Sequence, residues 1–245
     1  MFMRYRKREL LLLTIILFLS FLAEVRSQTA RSGQPPVTAD ERLEAHERLA
    51  ELGYWLDPER DPPGGQFRQA LIAFQKVGGH PRTGILTRGL LEMIRLAGRP
   101  VPLEAGEPHL EIDLYRQVLF VVAAEGEVVR VLPVSSGSGE CFTEGGRTRR
   151  ATTPKGRFTI QRRIEGWRKS ALGLLYYPLY FHQGIAIHGN PAVPTRPASH
   201  GCIRIPIYAA IDLAGMTAAG SPVIVYDSNP NPPPAPGPCP TPTAQ

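Results

Sequence analysis

The chain has 245 residues, which is long enough for one large domain or two modest ones with a real hydrophobic core. It carries 28 Lys and Arg against 22 Asp and Glu, a net charge of +6. Half of this excess lies in residues 1–27, where five basic residues stand against two acidic ones. The rest of the chain is only weakly basic, so its charge does not favour a nucleic-acid partner.

Residues 1–27 have the features of a signal peptide: a cationic start, the apolar run Leu10 to Leu22, and Val25 and Ser27 at the spacing of a cleavage site. A signal anchor that stays in the membrane is the alternative, because Arg26 stands beside the cleavage position. The apolar run is shorter than the roughly 20 residues of a membrane-spanning helix, which favours cleavage. Both readings predict an exported protein, in the periplasm or cell wall, that meets the membrane only through an uncleaved signal segment.

After a flexible leader at residues 28–39, apolar residues recur at helical spacing three times within residues 40–98. This pattern predicts a small module of three helices. Its segments LAELGY and FRQALIAFQ, followed by Thr83-Gly84, resemble those of the peptidoglycan-binding-like domain. The resemblance implies binding to peptidoglycan, while the residues themselves leave a helical spacer without a ligand open.

The proline-bearing segment 99–108 is a natural linker, and strand-like patterns replace helical ones after it. The stretches on either side of Gly126, Ile112 to Val122 and Val128 to Val134, predict a β-hairpin. A short helix is expected in 206–217, and further strands at 157–162, 175–181, 184–188 and 222–226. The predicted fold is therefore α+β and multidomain: the helical module and a mainly β domain at 109–227, packed separately, then an extended, disordered Pro-rich tail at 228–245.

The segment from Ile185 to Ile205 contains the residues with catalytic chemistry. A thiol in an exported protein is normally paired, so a Cys flanked by histidines indicates nucleophilic catalysis, with Cys202 as the nucleophile. His188, at a strand end across the loop, is predicted as the base in preference to His200, which lies two positions before Cys202 on a tight turn. Gly201 suits a backbone that approaches the reacting carbonyl, and the amides of Gly201 and Cys202 are expected to stabilise an oxyanion.

The sequence Ser199-His200-Gly201-Cys202-Ile203-Arg204, preceded by Ile187-His188-Gly189, resembles the active-site signature of the L,D-transpeptidase catalytic domain, the YkuD or ErfK type. The resemblance covers about half the chain and includes, in order, the strand around Ile112, Val134-Ser135-Ser136-Gly137, Thr153-Pro154-Lys155-Gly156-Arg157-Phe158 and Gly220-Ser221-Pro222-Val223. It implies that the Gly189 carbonyl orients the His188 imidazole. It also implies that Arg204 and Ser199 bind substrate and that His200 orients or braces the loop. Some members have Asn where Arg204 stands here.

The resemblance also implies a reaction: Cys202 attacks a stem tetrapeptide of peptidoglycan, releases D-alanine, and passes the acyl group to an amine in a 3,3 cross-link. Water as the acceptor would make the protein an L,D-carboxypeptidase, and a non-catalytic peptidoglycan-binding wall protein stays open. Carbapenem-type inhibitors are expected to acylate the same thiol, and no cofactor or metal is expected. Zinc bound by His182, His188, His200 and Cys202 is disfavoured, because the chain has no C-x-x-C or H-x-x-x-H pair.

Two cysteines, Cys141 and Cys239, are left over when Cys202 is assigned to catalysis. Accessible thiols in an oxidising compartment tend to pair, so a disulfide that pins the tail across the catalytic domain is one expectation. Pairing between molecules, or a free Cys239, stays open. The arginines that follow Cys141, at 147, 149 and 150, indicate first a solvated loop and second a contact for anionic wall polymers.

Overall fold

The computed structural model describes residues 36–56 and 65–240. The predicted signal segment, residues 28–35 of the leader and residues 241–245 of the tail lie outside this part of the chain. No helix within the two described ranges has the length and apolarity to cross a bilayer.

The first part of the structure is a set of three helices, α1 Ala39–Glu51, α2 Gly65–Val77 and α3 Arg88–Leu96. A capping box begins α1, because the Thr38 hydroxyl accepts from the Glu41 amide while the Glu41 carboxylate accepts from the Thr38 amide. Thr87 begins α3 by accepting from the Leu90 amide. The three helices predicted from the apolar spacing are confirmed.

The β domain consists, among the described residues, of twelve strands and one short helix. The strands are β1 His109–Asp113, β2 Val118–Val122, β3 Val128–Pro133, β4 Cys141–Glu144, β5 Arg147–Arg150, β6 Gly156–Thr159, β7 Arg162–Arg163, β8 Trp167–Ser170, β9 Gly173–His182, β10 Ile185–Asn190, β11 Ile203–Pro206 and β12 Pro222–Tyr226. The helix α4 Ala210–Met216 follows a 3₁₀ turn at Ile207–Ala209. The α+β class predicted from the sequence is confirmed.

The strands form two larger sheets and one hairpin. The first sheet has the order β3-β2-β1-β12-β6, and its β1 and β12 pair in parallel. The second has the order β11-β10-β9-β7, with β8 also paired to β9. Apolar residues of both sheets and of α4 meet in one core between them. The hairpin β4–β5 is a separate two-stranded sheet.

Strand β2 is buried on both faces. Leu119 and Val121 point into the core between the sheets, whereas Val118, Phe120 and Val122 pack against the three helices. Because successive side chains of a strand point to opposite faces, this strand joins two hydrophobic clusters. The helical module therefore covers the outer face of the first sheet at β2 and β3.

Backbone pairing continues across the same boundary. The Val131 amide of β3 donates to the Gly53 carbonyl at 2.8 Å, and the Trp55 amide donates to the Val131 carbonyl at 3.1 Å. The module and the β domain share a hydrophobic core. This corrects the expectation of two separately packed units, which took the proline-bearing linker as a sign of independence.

The observed strands differ from the predicted ones at several places. The run from Ile112 to Val122 is two strands, because the chain reverses at a turn that ends in Gln117, whose φ is +61°. The hairpin around Gly126 is present between β2 and β3. The single strand predicted at 157–162 is two strands, β6 in the first sheet and β7 in the second. The strands β8 and β11 are additional to those predicted, and the β4–β5 hairpin replaces the solvated loop expected for its arginines.

Candidate active site

Two adjacent parallel strands bring the predicted nucleophile and base to one face of the second sheet. His188 in β10 lies opposite Arg204 in β11, and Ile187 lies opposite Ile203. Both isoleucines are buried in the core, so the alternation of the strands turns the neighbouring residues to the other face. His188, Cys202 and Arg204 all line a cavity of about 560 Å³. The loop of residues 191–202, which joins β10 to β11, ends at the thiol.

The His188 imidazole is held as a neutral base. Its side chain is only 5% exposed, and Nδ1 lies 3.0 Å from the Gly189 carbonyl oxygen. A carbonyl can only accept, so Nδ1 donates this bond and Nε2 is the unprotonated nitrogen. Burial lowers the pKa of His188 to about 4; the Arg204 cation acts in the same direction and the Gly189 bond opposes them. At neutral pH the ring can therefore accept a proton at Nε2.

Cys202 is a half-buried free thiol. Burial raises its pKa, while the Ala186 backbone and the Arg204 cation act to lower it. The net direction leaves the sulfur protonated at rest, because an uncharged thiol is favoured where water is excluded. With a neutral imidazole on the same strand face, the resting site is a thiol and a base that must exchange a proton during the reaction.

The tight approach of the chain at two glycines shapes this site. Gly201 has φ of +135°, a conformation that other residues rarely adopt, and a Cβ there would lie 3.1 Å from the Thr152 carbonyl oxygen. A Cβ on Gly189 would lie 2.7 Å from the Cβ of Ala210 in α4. Next to His188 and next to Cys202, the backbone thus lies so close to neighbouring segments of the chain that only glycine fits without strain.

Ser199 braces the loop of residues 191–202, which is the predicted catalytic loop. It also lines the cavity, and the substrate contact expected for it stays a prediction. It is 3% exposed, and its hydroxyl donates to the Cys202 carbonyl at 2.5 Å and accepts from the Gly201 amide at 3.0 Å. The Gly201 amide is therefore already in use, so it can meet an oxyanion only after this bond breaks. The expectation that the Gly201 amide acts beside the Cys202 amide stays a prediction, and it requires that this bond is exchanged for one to the substrate.

Thr153 is a second bracing residue, and the sequence reading gave it no role. Its hydroxyl donates to the Gly201 carbonyl at 2.7 Å and accepts from the Gly137 amide at 2.9 Å. It thereby ties the catalytic loop to the strand segment that follows β3. The motif Thr153-Pro154-Lys155-Gly156 is the signal in the sequence that could have identified this residue.

His200 is exposed and lies away from the bracing bonds. Its ring packs edge-on against Phe142 of β4, with ring centroids 4.6 Å apart. Phe142, Glu144, Arg149 and Arg150 of the β4–β5 hairpin line the same cavity as Cys202. The hairpin is therefore one wall of the site, which sequence reasoning missed because its arginines indicated a solvated loop.

The tail of the chain holds this wall. Cys141, the first residue of β4, forms a disulfide with Cys239, with Cα atoms 5.7 Å apart. Arg150 donates one bond to the Gly237 carbonyl at 2.5 Å and another to the Gly139 carbonyl at 2.6 Å. Residues 229–240 form no helix or strand, so side chains and the disulfide fix the described part of the tail.

Comparison with known proteins identifies the family to which the chain belongs. A model of the L,D-transpeptidase catalytic domain matches residues 107–225, and a model of a peptidoglycan binding domain matches residues 38–94. The crystal structure of the L,D-transpeptidase from Xylanimonas cellulosilytica is 36% identical to the chain, with a TM-score of 0.74; the match covers 79% of this chain and 100% of that one. The chain belongs to the L,D-transpeptidase family.

Other solved L,D-transpeptidases match at lower identity. The enzyme from Stackebrandtia nassauensis is 21% identical over 81% of this chain and 99% of its own, with a TM-score of 0.46. L,D-transpeptidase 3 from Mycobacterium tuberculosis, in complex with a faropenem-derived adduct, is 18% identical over 48% of this chain and 60% of its own, with a TM-score of 0.39. Among curated proteins there is no significant match. Within the described residues, no group of three or more His, Cys, Asp or Glu side chains is arranged to hold a metal ion.

Proposed function

We propose that Cys202 of this L,D-transpeptidase is acylated by a peptidoglycan stem tetrapeptide and transfers the acyl group to an amine of a second strand, forming a 3,3 cross-link. The observation that carries the proposal is the cavity shared by Cys202 and His188: His188 lies in β10, and Cys202 lies directly before the adjacent strand β11. The Nδ1 bond to Gly189 leaves Nε2 as the base, which is the arrangement that general-base activation of a thiol requires.

In the acylation half, Nε2 of His188 takes the proton from the Cys202 thiol as the sulfur bonds to the carbonyl carbon of the third stem residue. The tetrahedral intermediate then collapses, and the bond from that carbon to the nitrogen of D-alanine breaks. The leaving nitrogen receives the proton from Nε2, so free D-alanine and a thioester are formed. Arg204 acts on this step in two opposite directions, because its positive charge stabilises the thiolate but disfavours the charged imidazole.

In the transfer half, an acceptor amine attacks the thioester carbonyl and gives a proton to Nε2. The carbon–sulfur bond breaks, and the sulfur takes the proton back from Nε2. Water can attack in place of the amine, which would release a tripeptide and make the enzyme an L,D-carboxypeptidase. The same thiol is the expected point of attack on a carbapenem, whose ring carbonyl would stay on the sulfur.

The cavity walls suit a peptide that carries carboxylates. Three cations, Arg149, Arg150 and Arg204, line it together with one carboxylate, Glu144. Apolar side chains also line it, among them Leu172, Leu174 and Leu175. A stem peptide has a terminal carboxylate and an uncharged backbone, so the cations can bind its carboxylate while the apolar side chains contact the rest of the peptide.

The helical module is proposed to bind the same polymer. A groove of about 410 Å³ runs along it, lined by Arg42, Arg68, Phe67, Leu71 and the segment 84–86 among others. The Arg42 guanidinium lies over the Phe67 ring at 4.6 Å from its centroid. We expect the double variant Arg42→Gln, Arg68→Gln of the full chain to sediment less with purified sacculi than the wild type. Arg95→Gln, on another part of the module, is the matched control, and equal sedimentation of all three would leave the module a spacer.

The decisive experiment incubates the full chain with defined tetrapeptide muropeptides and identifies the products by mass. A cross-linked dimer that has lost one D-alanine supports transpeptidation, and a tripeptide alone supports the carboxypeptidase. Cys202→Ala should abolish both products and the single carbapenem adduct, while Arg95→Gln, which lies on the helical module and does not line the cavity, serves as a control. Product formation by Cys202→Ala at the wild-type rate would refute the proposal, and a wild type without adduct or product would favour a non-catalytic wall protein.

We propose that the protein works outside the cytoplasm, after export by its N-terminal segment. Peptidoglycan lies outside the cytoplasmic membrane, and a disulfide between Cys141 and Cys239 is stable only where thiols can oxidise. Peptide mapping without reductant, on protein taken from its own compartment, should recover the two cysteines in one linked pair. The N-terminus of the same preparation should show whether residues 1–27 have been removed.

A further inference from the structure

A cation of the helical module reaches the catalytic loop. Arg82, which follows α2, donates one guanidinium bond to the Thr195 carbonyl at 2.8 Å and a second to the Tyr115 carbonyl at 3.1 Å. Thr195 lies in the loop of residues 191–202, whose end is the nucleophile. Tyr115 lies in the turn between β1 and β2. One module side chain therefore links a fixed turn of the first sheet to the middle of the catalytic loop.

A second module cation reaches the segment on which the end of this loop rests. Lys76, near the end of α2, is 1% exposed, and its Nζ donates to the Val134 carbonyl at 2.7 Å. The next residue, Ser135, exchanges two backbone bonds with Arg204, at 3.0 and 3.1 Å. The Ser135 hydroxyl also donates to the Arg196 carbonyl at 2.8 Å. The backbone after β3 is thus held by Lys76 on one side and supports the catalytic loop on the other.

Burying the amine of Lys76 costs free energy, and the hydrogen bond to the Val134 carbonyl has to offset this cost. Burial lowers its pKa to about 7, and the nearby Arg82 cation acts in the same direction. Among the described residues, no carboxylate lies within ion-pair distance of either group. A methionine would fill a similar volume without the cost of burying an amine. What the ammonium adds is one directed bond to a backbone carbonyl.

We infer that Arg82 and Lys76 are positioning residues for the transfer reaction: the helical module holds the catalytic loop so that Cys202 stays in place against His188. The inference rests on the proposed function, in which the Cys202 thiol gives its proton to the His188 imidazole. A loop held at its middle by Arg82 and near its end by Ser135 has little freedom to move the thiol. Loss of such positioning reduces rate even when the substituted residue lies far from the reacting atoms, because a shift of about 1 Å is enough to cost up to a hundredfold.

The test is Arg82→Gln in the full chain, assayed with muropeptide substrate at a temperature where the variant is folded. We expect kcat to fall about tenfold with KM changed less than twofold, because the loop positions the thiol and does not bind the peptide. Arg82→Lys should recover part of the rate, because lysine keeps the charge and can reach one of the two carbonyls. Arg95→Gln is the matched control, since Arg95 pairs only with Glu44 and Glu92 of the module in the described structure.

Hydrogen exchange separates positioning from a general loss of structure. In Arg82→Gln and in Lys76→Met, amides of residues 191–202 should exchange faster while those of the sheets keep their protection. Faster exchange throughout the chain, no recovery in Arg82→Lys, or a kcat equal to that of Arg95→Gln would overturn the inference. A wild type that forms no thioester at Cys202 would instead refute the proposed function, so the two failures can be told apart.

Discussion

Replacing His188 with glutamine should remove most of the pH dependence of the free energy of unfolding that comes from the active site. The imidazole is buried, and its pKa falls from 6.5 to about 4 in the folded protein. The unfolded chain therefore binds a proton at a higher pH than the folded one. Stability is greatest above pH 6.5, decreases as the pH falls from 6.5 to 4, and is constant below that window with respect to this group.

The magnitude follows from the two pKa values. Each unit of pKa difference corresponds to about 1.4 kcal/mol, so the full shift amounts to about 3 kcal/mol. At pH 5 the unfolded histidine is almost fully protonated and the folded one is about one-tenth protonated. The wild type should then be about 2 kcal/mol less stable at pH 5 than at pH 8 on account of His188 alone. Glutamine does not titrate, and its amide can still donate to the Gly189 carbonyl.

The assay is urea unfolding of the wild type and His188→Gln at pH 8 and pH 5, with the disulfide intact in both. The difference between the two pH values should be about 2 kcal/mol smaller in the variant, because all other titrating groups are shared. The variant should also lose nearly all transfer activity. Equal pH dependence in the two proteins would show that the folded histidine is not kept neutral, and the account of Nε2 as a resting base would fail.

Three further outcomes are expected. Gly189→Ala should lower the free energy of unfolding by about 1 to 3 kcal/mol, because its Cβ would lie 2.7 Å from that of Ala210; wild-type stability in urea would contradict the packing argument. The double variant Cys141→Ser, Cys239→Ser should have a free energy of unfolding in urea that is lower by up to about 4 kcal/mol, because the disulfide is lost. Alkylation of Cys141 and Cys239 in the wild type without reductant would exclude the disulfide. Deleting residues 36–97 should expose the outer face of β2 and cause aggregation or unfolding, whereas a soluble fragment that unfolds cooperatively would restore the two-unit expectation.

The sequence was sufficient to predict that His188 and Cys202 come to one place, because they lie in one continuous segment with a specific pattern around them, and both line one cavity. A strand, a loop and a second, parallel strand return the chain to the neighbourhood of His188 just after Cys202, and this needs no contact with a distant segment. The roles of Ser199 and of the Gly201 amide could not be assigned in the same way. They depend on which hydrogen bonds form inside a tight turn, and several residues of that turn could have made them.

The parts that the sequence did not predict depend on contacts between distant segments. The run Val118 to Val122 is apolar at every position, which is typical of a strand buried on both faces, but the pattern does not say what covers each face. Lys76 looks like an ordinary helical surface residue until the Val134 carbonyl is seen beside it. The β4–β5 hairpin has few apolar residues, so its structure depends on backbone pairing and on the tail.

The disulfide to the tail has a consequence for the order in which the molecule matures. Cys239 follows every strand of the catalytic domain in the chain, so it emerges from the ribosome after all of them. Segments nearer the N-terminus can fold before Cys239 is made. The bond between Cys239 and Cys141 forms by thiol oxidation, which is slower than the folding of these segments. The covalent bond that holds the wall carrying Phe142 and Arg150 to the tail is therefore formed last. A newly made chain would have His188 and Cys202 in place before this bond closes, and oxidation would mark the end of its maturation.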